Sequence, residues 1–375
     1  MKTIVSMILA LVMIMSMATV AMAEEPLKIG VIGPTTGAAA SYGISVTNGA
    51  ELAVSEINAK GGMQIQLFKG DDANDAEQSY NVYNDMWDDN VQMIVGTVTS
   101  TPCVNVAGYA YEDRMFMLTP SASTPDVTAN NDNVYQLCFT DPGQGEGSAQ
   151  YVKDHNLATK IAVIYNNADT YSSGIAVAFE AKAKELGLEI VKVIEFNDET
   201  TDFSVQVTDV KNAGAELVFM PIYYTPASMI LQQAAAINYD PVFFGGDGMD
   251  GLLNIEGFDT SLAEGLLLMT PFSTAATDEL TVNFVKNYEA AYGATPDQFA
   301  ADGYDCVYAL YQAALNAGIT GETKTEDACE MLIEQFGTLE ITGTTGAMSW
   351  NEDGAVNKVP VVVQIVDGAY VGFEG

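Results

Sequence analysis

Leu27-Lys28-Ile29-Gly30-Val31-Ile32 runs into Gly33-Pro34-Thr35-Thr36-Gly37, after which Val46, Ala50, Ala53 and Ile57 recur at helical spacing up to Gly61-Gly62. The first stretch is an apolar run of strand length, the loop is bounded by glycine, and the third stretch has the period of a helix. This strand-loop-helix unit decides the fold because it repeats. Further strands are expected at 65–69, 92–95, 115–118, 134–139, 160–165, 189–195, 216–220, 241–245 and 265–269, with helices between most of them, including 171–186 and 203–213. Such alternation implies an α/β protein of parallel sheets covered by helices on both faces.

A chain of 375 residues exceeds what one hydrophobic core usually holds, so two domains are expected. The first boundary is read at Thr140-Asp141-Pro142-Gly143-Gln144-Gly145, where turn-formers follow a strand, and the second near Thr270-Pro271-Phe272. Beyond it lies a helix with Leu280, Phe284, Tyr288 and Ala291 on one face, then a late strand pair, 359–366 and 369–373, turning at Asp367-Gly368. Two similar lobes joined by several crossings suit a hinge that closes around a ligand.

The N-terminus sets the compartment. After Lys2 an uncharged apolar stretch runs to Ala21-Met22-Ala23, a small-x-small site, and Glu24-Glu25-Pro26 then breaks any helix. This reads as a signal peptide over 1–23, cleaved after Ala23, rather than an anchor, since the small residues add nothing to an anchor. The expected location is therefore periplasmic or extracellular. A formal charge of −36 repels phosphate backbones, which argues against nucleic acid as a partner. Hydrophobic residues at 48% argue against disorder. Cys103, Cys138, Cys306 and Cys329 are spaced too widely for a zinc site. Export permits Cys103–Cys138 and Cys306–Cys329 disulfides, and buried free thiols are equally compatible with the spacing.

In open α/β sheets, ligands bind at the carboxyl ends of strands, so the loops there are the candidate site. Gly33–Gly37, running on to Ser41-Tyr42-Gly43, lacks both the dinucleotide and the Walker spacing, and no cofactor is implied. In Gly96-Thr97-Val98-Thr99-Ser100-Thr101-Pro102, Ser100 reads as an N-cap with Pro102 just inside the helix, where free N–H groups attract a carboxylate. Thr119-Pro120-Ser121-Ala122-Ser123-Thr124-Pro125 offers small residues that let a ligand approach backbone. Tyr223-Tyr224 and Gly245-Gly246-Asp247-Gly248 follow strands of the other lobe. Asp247 suits an ammonium group, although an aspartate in such a turn is more often structural, and Tyr171 suits stacking on a ligand, although an aromatic at a helix start is usually only packing.

Taken together, Val31-Ile32-Gly33-Pro34, Gly37, Tyr42-Gly43, Asn48-Gly49-Ala50-Glu51-Leu52-Ala53, Glu56-Ile57-Asn58-Ala59-Lys60-Gly61-Gly62 and Asp71-Asp72 resemble the leucine/isoleucine/valine-binding proteins of branched-chain amino acid ABC transporters. The Gly96 to Ser100 loop, Pro120 to Ser123 with Pro125, Gln144-Gly145, Tyr171 with Gly174, Tyr223-Tyr224 and Gly246-Asp247-Gly248 extend the likeness over nearly the whole chain after Ala23. The resemblance implies a type I periplasmic binding protein: two Rossmann-like lobes, 24–141 with 270–356 and 142–269 with 357–375, joined by a multi-strand hinge. It further implies that Ser100, Ser121 (main chain), Ala122 and Ser123 surround the ligand carboxylate and that Asp247 holds the ammonium. Tyr42, Tyr171 and Tyr223 match aromatic positions around the ligand, and Phe299 another. Where well-known members carry a cysteine beside the Asp-Asp motif this chain has Asn74, so their disulfide does not transfer; Ser123 stands in place of their threonine.

The function so implied is capture of a branched-chain or similar apolar amino acid by a monomer that delivers it to the permease of an ABC importer. A module of the same fold presenting an amino acid or amide to a receptor is the alternative. Catalysis is not expected: His155 is the only histidine, near a helix end, and no nucleophile elbow, zinc motif or phosphate loop occurs.

Overall fold

The computed structural model describes residues 25–358 and 361–373; the signal-peptide reading of 1–23 lies outside them. The opening run becomes β1 (Leu27–Gly33), which pairs in parallel with β2 (Ile65–Asp71) and β3 (Met93–Val95). With β4 (Phe116–Thr119) and β5 (Val134–Gln136) these form a five-stranded parallel sheet of order β2-β1-β3-β4-β5. Period-two alternation splits β1 between two cores. Leu27, Ile29 and Val31 join one core, where α1 (Ala40–Lys60) contributes Val46, Ala50, Ala53 and Ile57. Ile32 joins the other, with Tyr83 of α2 (Ala76–Asp88) and Val106 of α3 (Ser100–Asp113). α1 stops at Gly61, whose φ of 76° lies where a side chain would be strained.

The second sheet has seven strands, of order β14-β13-β10-β9-β8-β6-β7. β6 (Lys160–Asn166), β7 (Glu189–Phe196), β8 (Leu217–Met220), β9 (Val242–Gly245) and β10 (Leu267–Thr270) run parallel. β13 (Val361–Val366) and β14 (Ala369–Gly372) complete it antiparallel. α4 (Asp141–Asp154) and α5 (Thr170–Leu186) share its core on one face through Val152 and Phe179, beneath Ile161 and Val163. α6 (Ser204–Asn212) and α7 (Tyr224–Ala236) cover the other with Val207 and Ile230.

The chain then returns to the first half, where α8 (Glu279–Tyr292), α9 (Gln298–Ala317) and α10 (Thr325–Phe336) pack beside α1 and the first sheet. α1 and α9 cross on glycine: a Cβ on Gly49 would stand 1.9 Å from the Ala300 carbonyl oxygen, and one on Gly303 2.3 Å from that of Val46. A hairpin, β11 (Glu340–Gly343) with β12 (Gly346–Ser349), precedes the final crossing. Asp305 on α9 anchors it by accepting from the backbone N–H groups of Thr344 and Thr345, both at 2.9 Å, and from their hydroxyls. Beyond it Lys358, buried, lies 3.8 Å from the buried Asp302.

Some expectations need correcting. At the boundary read over 140–145 the turn-formers open a helix: Thr140 accepts from Gly143 N–H as an N-cap, and Pro142 sits in the first turn of α4, where no N–H is required. On α8 the buried face carries Thr281, Phe284 and Tyr288, whereas Leu280 and Ala291 are exposed. The hairpin at 340–349 was not anticipated. All four cysteines are buried free thiols, and burial pushes Cys103 and Cys329 up to about 12.

Candidate ligand-binding site

The order of strands determines which loops meet. β1, β3 and β4 are neighbours in the first sheet and parallel, so the loops leaving them emerge side by side. β6, β8 and β9 are neighbours in the second sheet and bring together the loops carrying Tyr171, Tyr223 and Asp247. The two sets face one another. The hydroxyl of Tyr42 donates to the Gly248 carbonyl and accepts from Tyr224 N–H at 3.3 Å, so one side chain of the first half touches two loops of the second.

Of the residues singled out above, Tyr42, Ser100, Ser121, Tyr171, Tyr223, Asp247 and Phe299 line one cavity, together with Val98, Thr99 and Gly248. Ala122 and Ser123 do not line it. The Ala122 side chain belongs to the core behind the first sheet. Ser123 is fully buried, its hydroxyl without a partner.

The first-half loops are held by their own hydroxyls. Thr119 Oγ1 donates to the Thr97 carbonyl at 2.7 Å and accepts from Ala122 N–H at 2.9 Å. Ser121 Oγ donates to the Val98 carbonyl at 2.7 Å. Gln136 Nε2 donates to the carbonyls of Ala122 and Thr124. Ser100 is not the N-cap of α3; Thr99 is, and Ser100 is the first helical residue. Ser100 Oγ accepts from Ser123 N–H at 3.2 Å, which leaves its own proton to donate into the cavity, beside the positive end of α3.

Across the cavity Asp247 is 4% exposed. Its Oδ1 accepts from the Tyr171 hydroxyl at 2.9 Å, while that hydroxyl accepts from Gly248 N–H at 2.8 Å. Glycine is needed on both sides of Asp247, since a Cβ on Gly246 or Gly248 would lie 2.8 or 2.7 Å from the Tyr171 hydroxyl oxygen. Spacing in the sequence could not reveal two further supports: Gln144 Oε1 accepts from Asp247 N–H at 3.1 Å, and Gln298 Nε2 donates to the Asp247 carbonyl at 2.7 Å. Burial, opposed by the Tyr171 hydrogen bond, pushes the Asp247 carboxyl up to about 6. No ion pair among the described residues involves Asp247.

The walls between these polar ends are aromatic. Tyr171 stacks on Tyr223 at 5.1 Å, Tyr223 meets Tyr42 edge-on at 5.4 Å, and Phe299 lies 4.4 Å from Tyr42. The enclosed volume is about 10 Å³, room for about one water, so a larger solute enters only if the halves part. An outer cleft of about 370 Å³ adjoins it through Tyr223, with Asn74 and Thr101 on one bank and Asn166, Asp169 and Thr225 on the other. A larger depression of about 520 Å³, near Glu56, Tyr304 and Met348, lies away from the strand ends. No metal-binding cluster occurs among the described residues, and none of their helices is long and apolar enough to cross a membrane.

Comparison with known proteins agrees with this arrangement. Residues 26–369 match the family described as periplasmic binding protein. The Leu/Ile/Val-binding protein homolog 3 of Brucella melitensis is 30% identical over 363 residues, covering 94% of this chain and 95% of its own. The substrate binding protein LivJ of a branched-chain amino acid transporter from Streptococcus pneumoniae, solved with isoleucine, superposes with a TM-score of 0.85 at 28% identity, over 92% of this chain and 98% of its own. The leucine binding protein LivK from Thermotoga maritima gives 0.84 at 28% identity, over 92% and 97%. Two mainly parallel sheets with a cavity between their strand ends, matched along almost the whole described chain, place this protein in the periplasmic binding protein family, among the relatives of the Leu/Ile/Val-binding proteins.

Proposed function

We propose that this protein binds a branched-chain or similarly apolar α-amino acid outside the cytoplasm and delivers it, as a monomer, to the permease of an ABC importer. The lobes that close on it are 24–141 with 270–356 and 142–269 with 357–375. One observation carries the reading: a buried carboxylate with no cation, Asp247, faces a hydroxyl at a helix N-terminus, Ser100, across an aromatic cavity. Those two ends complement the ammonium and carboxylate of a zwitterion. The role is binding without transformation. The names of the relatives, which speak of leucine, isoleucine and valine, point the same way.

The reading requires both charged ends of the ligand. In calorimetry leucine should bind, whereas the amine lacking its carboxylate and the acid lacking its ammonium should not. Comparable binding of either would overturn the assignment of Ser100 and Asp247. Ligand held by both lobes also favours the closed arrangement by its differential affinity for it. Small-angle scattering is therefore expected to show a smaller radius of gyration on saturation, and an unchanged profile with binding established would count against the hinge.

A further inference from the structure

Thr99 sits where a threonine hydroxyl is normally consumed, yet its hydroxyl is unused. As N-cap of α3 it would accept from the N–H of the second or third helical residue. The third is Pro102, which has no N–H, and no side-chain cap bond forms. Thr99 is 3% exposed, its Oγ1 has no hydrogen-bond partner, and the residue lines the ligand cavity. Its neighbours are already committed: Ser121 Oγ bonds the Val98 carbonyl, and Ser100 Oγ accepts from Ser123 N–H.

We propose that Thr99 is a specificity-determining residue, its unpartnered hydroxyl among the apolar cavity walls selecting a small β-branched amino acid that bears a hydroxyl, threonine, over the isosteric valine. This rests on the reading above that an α-amino acid is bound, and narrows its side chain from apolar in general to β-branched with a hydroxyl. Ser100 and Asp247 take the two charged ends, which leaves Thr99 for the side chain. Val98, Tyr42 and Phe299 supply apolar surface for the ligand's methyl group, and Thr99 supplies the hydrogen-bond partner. An apolar ligand such as valine or leucine leaves that buried hydroxyl unsatisfied, and an unmade buried hydrogen bond is penalised more than a made one is rewarded.

The test is a two-by-two comparison in which protein and ligand change by the same isosteric step. Calorimetry is run on the parent and on Thr99→Val, each with threonine and with valine. The parent is expected to bind threonine about tenfold or more tightly than valine. Thr99→Val should lose that preference, threonine weakening about tenfold and valine holding within about threefold. Thr99→Ser keeps the hydroxyl and should retain the preference, which guards against a merely structural effect. Threonine binding no tighter than valine to the parent, or equal losses for both ligands in Thr99→Val, overturns the proposal. Failure of the parent to bind any common α-amino acid is a distinct result, which overturns the amino-acid reading and this inference with it.

Discussion

Asp247→Asn is expected to weaken amino-acid binding by roughly 30- to several-thousand-fold, the about 2–5 kcal/mol lost when one partner of a buried charge pair is neutralised. Asparagine keeps the shape and an oxygen to accept from Tyr171, so the ligand ammonium loses its counter-ion but little else. The ligand-free protein should respond in the opposite sense. In the closed arrangement Asp247 is buried without a cation, so that arrangement bears a cost when no ligand fills it. With a pKa moved from 3.8 to about 6, the folded form binds more protons than the unfolded between those values. Stability therefore falls as pH rises from about 4 to about 6 and stays low above. Asp247→Asn removes that penalty, worth up to about 3 kcal/mol at about 1.4 kcal/mol per decade in proton affinity. It should raise the ligand-free melting temperature at pH 7.5 and hardly alter it at pH 4. Wild-type affinity in the variant would remove Asp247 from the site, and a lower ligand-free melting temperature would make it a turn-former.

Gly49→Val is expected to cost about 3 kcal/mol or more, beyond the about 1–3 kcal/mol of ordinary overpacking. The atom a side chain would meet is the Ala300 carbonyl oxygen, 1.9 Å from the new Cβ, and helix backbone cannot swing aside as a flexible side chain can. α1 and α9 must separate, and each carries a wall of the cavity, Tyr42 on one and Phe299 on the other. Denaturant unfolding should show the loss and calorimetry a weaker ligand. A change below about 1 kcal/mol would mean that the helices do not cross at Gly49.

The strand-helix beat was legible because each unit is local: an apolar run, a turn, an amphipathic stripe. The cavity was legible in outline because parallel strands place successive loops at one edge, whereas Asp247 among glycines suited a turn as well as a ligand's ammonium and was picked out by the resemblance. Ser100 was mistaken for an N-cap because serine and threonine compete for that position and Pro102 fits either register. The helix over Asp141–Asp154 was hidden by Pro142 and Gly143, which break a helix in its interior and are tolerated in its first turn. Gln298 and the unused hydroxyl of Thr99 had no signal, and Gln144 stood out only as part of a resemblance, with no role attached to it. Their roles arise from contacts across the fold, such as the 103 positions separating Gln144 from Asp247, which no local pattern encodes.

The return of the chain to its first half governs the order of assembly. Ser45 on α1 donates to Asp297 at the start of α9, 252 positions later, so the face of the first sheet that α1 begins to cover is completed only when those late residues arrive. Loop-closure entropy must be met before contacts of such long range repay it, which slows folding relative to a chain built from local contacts. The early strands cannot collapse into a finished lobe by themselves. A chain of this design, made from its N-terminus, has all the strands from β6 to β10 of the second sheet synthesised before the helices that complete the cover of the first.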